Sequence, residues 1–153
     1  MNRKILVTGG CGYIGSHTVV SLLENQFDVV IVDDLSNSNE FILNRIEKIT
    51  GCKPVFINAD LKDVSRVENI FRYNKDVDAV IHFAAYKAVS ESVQQPLMYY
   101  QNNLYSLINT LISQLENQIN NFIFSSSATV YGNPKELPIT EESETQRPYK
   151  ERL

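Results

Sequence analysis

A doubly wound α/β fold, with a parallel sheet held between two helical layers, is predicted by three features of the chain. Short β-branched runs alternate with segments of helical periodicity. The stretch "TGGCGYIGSH", Thr8 to His17, places Gly9, Gly10, Gly12 and Gly15 at the junction of the first strand and first helix. Asp33 then closes the second strand, one strand–helix–strand unit further on.

The elements follow in order. Residues 4–9, "KILVTG", form a strand and residues 14–25 a helix. Residues 28–34, "DVVIVDD", are a second strand, nearly all apolar, as suits a strand buried on both faces. A helix over 39–50 and a strand over 54–60 come next. Residues 63–74 put Val64, Val67, Ile70 and Phe71 on one helical face, with Asp63 as the N-cap. Residues 77–85 are the fourth strand. The longest helix begins near Pro96, a favoured first position, and Leu97, Tyr100, Leu104, Ile108, Leu111 and Leu115 recur along it as one apolar stripe. Residues 120–127 are the fifth strand. Right-handed crossovers between these strands lead to the doubly wound arrangement. Residues 133–153 are polar, carry three prolines and show no periodicity. One domain is expected over 1–153, with its core in 3–132 and an irregular tail after it.

Composition excludes several classes. At 153 residues, 43% apolar and 21% charged, the chain suits one soluble globular domain. A net charge of -4 argues against a general nucleic-acid or anionic-membrane binder, and no apolar run approaches a membrane span. The only cysteines, Cys11 and Cys52, have neither metal nor disulfide spacing, which points to a reducing cytoplasm. Cys11 is read as a small residue within the turn. His17 and His82 stand apart from any ligand cluster, so no metal site is expected.

The glycines follow both Gly10-x-Gly12-x-x-Gly15 and the wider Gly9-x-x-Gly12-x-x-Gly15, between a strand and a helix. That is the setting of the dinucleotide fingerprint, in which one glycine permits the tight turn, one admits a pyrophosphate and one lets helix pack on strand. The helix N-terminus adds unpaired N–H groups and partial positive charge. Asp33 lies near the offset of about 20 residues expected for the ribose-binding acid. The "DLSNSNE" after it has no Arg or Lys to hold a 2′-phosphate, so NAD is preferred over NADP.

With "TGGCGYIGSH", "VDDLSNS", "IHFAAYKAVSES", "YYQNN" and "SSSATVYG" in this order, the chain resembles the extended short-chain dehydrogenase/reductases. More narrowly it resembles the UDP-glucose 4-epimerases of the NAD-dependent epimerase/dehydratase family, from residue 3 to about 141. The resemblance implies a Rossmann-type sheet truncated after about five strands, with bound NAD and a UDP-hexose substrate. It implies that Gly9, Gly12, Tyr13, Ile14 and Gly15 meet the pyrophosphate. Asp33, Asp34, Leu35, Asn37 and Ser38 would surround the adenosine ribose, Asp34 standing where the family commonly has Asn. Asp60 and Leu61 would meet the adenine. Phe83, Ala84, Ala85 and Lys87 would line the nicotinamide side, with Asn102 reaching into the same cleft. Without the resemblance, Lys87 is a solvated charge and Asn102 a helix-surface amide. Ser127 would hydrogen-bond the sugar 4-oxygen; otherwise it is a strand-end serine bonding nearby backbone.

The implied reaction is epimerisation at C4. A tyrosine takes the 4-hydroxyl proton as hydride leaves for NAD, the 4-keto sugar turns over, and hydride returns to its other face. Related sugar-nucleotide dehydratases place an Asp-Glu pair after the strand-five hydroxyl residue. This chain has Ala128-Thr129, which favours epimerisation. It departs from the family at Tyr-x-x-x-Lys, where a lysine one helical turn on lowers the phenol pKa. Tyr149 is the only candidate: Leu153 stands four residues on, and the adjacent Lys150 would point about 100° away on a helix. The expectation is therefore the N-terminal, cofactor-binding part of an epimerase, a fragment or the product of a frameshift near residue 146. It would lack the C-terminal substrate lobe and be inactive alone. A catalytically silent NAD-binding module, or a vestigial product, is the competing expectation. Related epimerases pair through helices that include the one near Pro96, which implies a homodimer.

Overall fold

The computed structural model describes residues 2–134 and 136–145. Its elements are β1 Lys4–Thr8, α1 Tyr13–Glu24, β2 Asp28–Asp33, α2 Phe41–Thr50, β3 Val55–Asn58, α3 Val64–Tyr73, β4 Val77–His82, α4 Val89–Gln94, α5 Pro96–Glu116 and β5 Asn121–Phe124. A 3-10 turn, Ala128–Tyr131, follows. The strands pair in parallel in the order β3-β2-β1-β4-β5. The order reverses between β1 and β4, and in such sheets ligands gather in the crevice beyond the carboxyl ends of the strands at that point.

Strand alternation divides the core between the two sheet faces. Leu6, Val32 and Val80 point to one face and pack with Val67, Ile70 and Phe71 of α3. Ile5, Val7, Val29, Ile31 and Ile81 point to the other, against Val19, Leu43 and Ile46 of α1 and α2. Asp63 caps α3 as expected, its carboxylate accepting from Arg66 N at 3.1 Å.

Three expectations are corrected. The strands are shorter than their apolar runs: β4 stops at His82 and β5 at Phe124, and only one further ladder bond follows each, from Phe83 N to Thr8 O and from Ser125 N to His82 O. A short helix, α4, precedes α5; its six residues are too few to show a period. The third concerns α5. Its apolar stripe faces away from the sheet, with Leu97 75% and Leu115 71% exposed at its two ends. The buried face carries Tyr99, Asn102, Ser106, Thr110, Ser113 and Gln114. The amides on this face bond to loops, while Ser106 and Thr110 bond to carbonyls of their own helix. Gln114 Nε2, for example, donates to Ile119 O at 2.7 Å. No described helix is long and apolar enough to cross a membrane.

Candidate functional site

The first turn is built at the limit of backbone approach. Gly9 has φ +67°, and a Cβ there would lie 2.8 Å from Ala84 N, so the β1 and β4 loops touch through bare main chain. A Cβ on Gly15 would drive into the carbonyl oxygen of Gly9, which identifies it as the helix-to-turn packing glycine. A Cβ on Gly10 would meet the Ile31 side chain at 2.8 Å. Gly12 is different: a Cβ there would meet only Gly9 O, at 3.2 Å. It is the N-cap of α1, and no side chain caps the helix. The first-turn N–H groups are thus left to a ligand. Beside them Tyr13 and Ile14 are exposed. The space a Cβ would fill at Gly12 and the uncapped helix start fit a pyrophosphate.

Asp33 is tied into this turn. Its carboxylate accepts from Cys11 N at 2.9 Å, Leu35 N at 2.9 Å and Ser38 Oγ at 2.8 Å. A carboxylate has about four lone-pair directions, so one remains for a ligand hydroxyl. Leu35 adopts φ +60°, an uncommon conformation for a branched residue that Asp33 and Ser38 hold in place. Asp34 accepts from Ser36 N and Oγ, and Asn37 is exposed.

On the β3 and β4 sides, sequence reasoning missed the connecting residue, Lys62. Its ammonium lies 3.2 Å from Asp60 and donates to Asn102 Oδ1 at 3.0 Å. Leu61 is buried in the core beneath this loop. After β4, Phe83 N donates to Thr8 O at 3.0 Å, while Ala85 and Lys87 are exposed. Asn102 is buried, not a surface amide. The adjacent Asn103 was equally overlooked, although a doubled Asn on a helix is a poor helix former and hints at a binding role.

His82 and Thr8 were also missed. They lie on neighbouring strands with Nδ1 and Oγ1 2.8 Å apart, His82 near-parallel to the rings of Phe122 and Phe124. Burial pushes the imidazole down from 6.5 to about 4, so it is neutral at physiological pH. Thr8 Oγ1 also takes the Ala84 N–H at 3.4 Å. Cys11 is buried, and burial, followed by the charges of Asp33 and Glu40, pushes its thiol up to about 12. It is a packing residue without nucleophilic character.

Ser127 does not end β5. It is exposed and caps the 3-10 turn, its Oγ accepting from Thr129 N at 3.3 Å and Thr129 Oγ1 at 2.9 Å. Its own hydroxyl hydrogen is left to donate. Tyr149 lies outside the described residues. Among the described residues no group of three or more His, Cys, Asp or Glu side chains converges on a metal position.

A parallel sheet with its order reversed at β1, a glycine turn at that point and an acid bound into the turn define the Rossmann class of α/β proteins. A family model described as GDP-mannose 4,6 dehydratase matches residues 6–150. The chain is 54% identical over 130 residues to a UDP-glucose 4-epimerase of Schizosaccharomyces pombe, covering 85% of this chain and 36% of that one. It is 50% identical over 138 residues to the UDP-glucose 4-epimerase of Bacillus subtilis, covering 90% and 41%. Among solved structures, the Bifidobacterium longum UDP-glucose 4-epimerase in complex with NAD+ and UDP superposes with TM-score 0.88 at 48% identity, covering 94% of this chain and 42% of that one. The Stenotrophomonas maltophilia enzyme, with NAD and a formylated UDP-arabinopyranose, gives 0.87 at 43% identity, covering 95% and 43%. The chain belongs to the NAD-dependent epimerase/dehydratase family of extended short-chain dehydrogenases/reductases. It spans about two fifths of the length of these relatives.

Proposed function

We propose that residues 1–153 form the NAD-binding domain of a UDP-glucose 4-epimerase and do not turn over substrate alone. The observation that carries this is the first turn: Gly12 puts bare main chain at an uncapped helix start, in a chain 54% identical to an epimerase over 130 residues. Bound NAD supplies a hydride acceptor, and then donor, for the sugar C4. The chain's residues do the rest. The first-turn N–H groups at Tyr13 and Ile14 hold the diphosphate, and the last acceptor direction of Asp33 takes a ribose hydroxyl. Asp60 and Leu61 take the adenine, while Phe83, Ala84, Ala85, Lys87 and Asn102 line the nicotinamide end. The free hydrogen of Ser127 Oγ is available to the 4-oxygen of a UDP-hexose. The proton of that 4-hydroxyl would fall to Tyr149, which has Leu153, not a lysine, four residues on.

A coupled assay for UDP-galactose conversion tests this. No turnover above a Ser127→Ala control is expected; Ser127-dependent turnover would show a complete epimerase within these residues. The missing lysine also favours a second reading, a catalytically silent NAD-binding module. Reading the gene past codon 153 in all frames separates the two: a Tyr-x-x-x-Lys followed by a substrate lobe supports the epimerase. The dehydratase reading takes support from the family model's description. Against it stands Ala128-Thr129, which offers neither acid nor base, and detection of a 4-keto-6-deoxy sugar would restore it.

The outward stripe of α5 supports pairing with a second copy across Tyr100, Leu104, Ile108 and Ile112, all exposed. Two free thiols support a cytoplasmic location.

A further inference from the structure

The loops after β3 and β4 are not joined by strand pairing, since β2 and β1 lie between those strands. They are joined by α5. Lys62 is the centre of the connection: its ammonium reaches Asp60 in its own loop and Asn102 on α5, and lies 5.8 Å from the centroid of the Tyr86 ring in the β4 loop. Asn102 Nδ2 passes the link to Asn103 Oδ1 at 3.1 Å. Asn103 then grips the main chain of Tyr86 on both sides, accepting from its N–H at 2.8 Å and donating to its carbonyl at 3.0 Å. Asn109, further along α5, donates to the carbonyls of Leu61 and Lys62 at 2.9 and 3.2 Å. A continuous polar path thus runs Asp60–Lys62–Asn102–Asn103–Tyr86.

We propose that Lys62 is a positioning residue: through Asn102 and Asn103 it fixes the separation between the β3 loop and the β4 loop, and so the span available to a dinucleotide. The inference rests on the proposed reading of this groove as an NAD site. An exposed ion pair would hold little. Here the Lys62 side chain is about one-third exposed and its amide partner is buried, so the bond is charge-assisted and partly shielded. Two ligand halves gain from being linked only when the protein holds their subsites at the matching distance. A groove whose ends drift therefore loses affinity for the whole molecule more than for either half.

The test compares the full chain with Lys62→Met, which keeps the stem, and Lys62→Arg, which keeps the donor. In ligand-free protein, Lys62→Met speeds hydrogen exchange at the Tyr86 amide by about fivefold or more, with unchanged far-UV circular dichroism and Lys62→Arg close to wild type. Calorimetric titration then shows NAD binding weakened by about tenfold while AMP and nicotinamide mononucleotide change by less than about twofold. An unchanged Tyr86 amide overturns the relay, whatever NAD does. AMP weakened as much as NAD overturns it too, reducing Lys62 to a local contact of the β3 loop. Wild type that fails to bind NAD, with the exchange effect present, overturns the cofactor reading and leaves the relay standing.

Discussion

Gly12 and Gly15 stand three residues apart in one turn, and the Gly9 carbonyl crowds a side chain at each to a different degree. At Gly15 a Cβ would drive into the Gly9 carbonyl and the main chain beside it; at Gly12 it would meet only that same oxygen, at 3.2 Å, a tight contact that a shift of a few tenths of an ångström relieves. Gly15→Ala is therefore expected to destabilise the fold by about 2–4 kcal/mol in urea unfolding. Gly12→Ala is expected to cost about 1 kcal/mol or less in the same measurement yet lose NAD affinity by more than about tenfold. Equal stability losses would contradict this division of roles. His82 gives a pH prediction. Its folded pKa is lowered from 6.5 to about 4, so between those values the unfolded chain binds the extra proton. The contribution of the neutral ring is complete above pH 6.5 and is lost as pH falls through the window, by about 3 kcal/mol in all. Urea unfolding at several pH values checks the sign: the slope in His82→Gln is shallower by up to about one proton. Identical slopes would show that the ring titrates alike in both states.

Element by element, the sheet was legible because strands buried on both faces carry near-continuous apolar runs, as Val29 to Val32 do. Helices α1, α2 and α3 were legible for a related reason: each lays one apolar stripe on the sheet, and Asp63 announces the start of α3. Helix α5 has the same kind of period but the opposite orientation. Periodicity reports that a face is apolar, not what covers it, and the inward face had to be inferred from amides whose partners are distant in sequence. Asp33 was found through its spacing from the glycines; Lys62 has no such signal, its partner lying 40 residues away, and Asn103 had only the doubled Asn to mark it. Ser127 was placed by motif, but the strand end was misjudged because the apolar run of β5 gives way to serines without a turn signal. The α5 stripe carries its own prediction. Ile108→Lys on the exposed face is expected to weaken self-association in sedimentation equilibrium by about tenfold or more, with the thermal midpoint of the monomer within a few degrees of wild type. A wild-type chain that stays monomeric at high concentration would contradict pairing through this face.

At the scale of the whole molecule, the crevice at the β1/β4 reversal is assembled from four loops held to one another directly. Gly9 packs on Ala84, Asp33 accepts from Cys11, and Lys62 joins the β3 loop to α5, which holds Tyr86. Such cross-bonding pre-sets a site before its ligand arrives, which lowers the ordering cost of binding. The chemistry that would follow calls for a tyrosine with a lysine one helical turn on, and residue 153 is leucine. The central claim is thus cofactor binding without turnover. Its most direct measurement is calorimetric titration of the full chain with NAD and, separately, NADP. Saturable one-to-one binding of NAD, with NADP weaker by about tenfold or more because Asp33 repels a 2′-phosphate, is the predicted result. Absence of saturable NAD binding at millimolar concentration, or equal affinity for the two dinucleotides, would contradict the account.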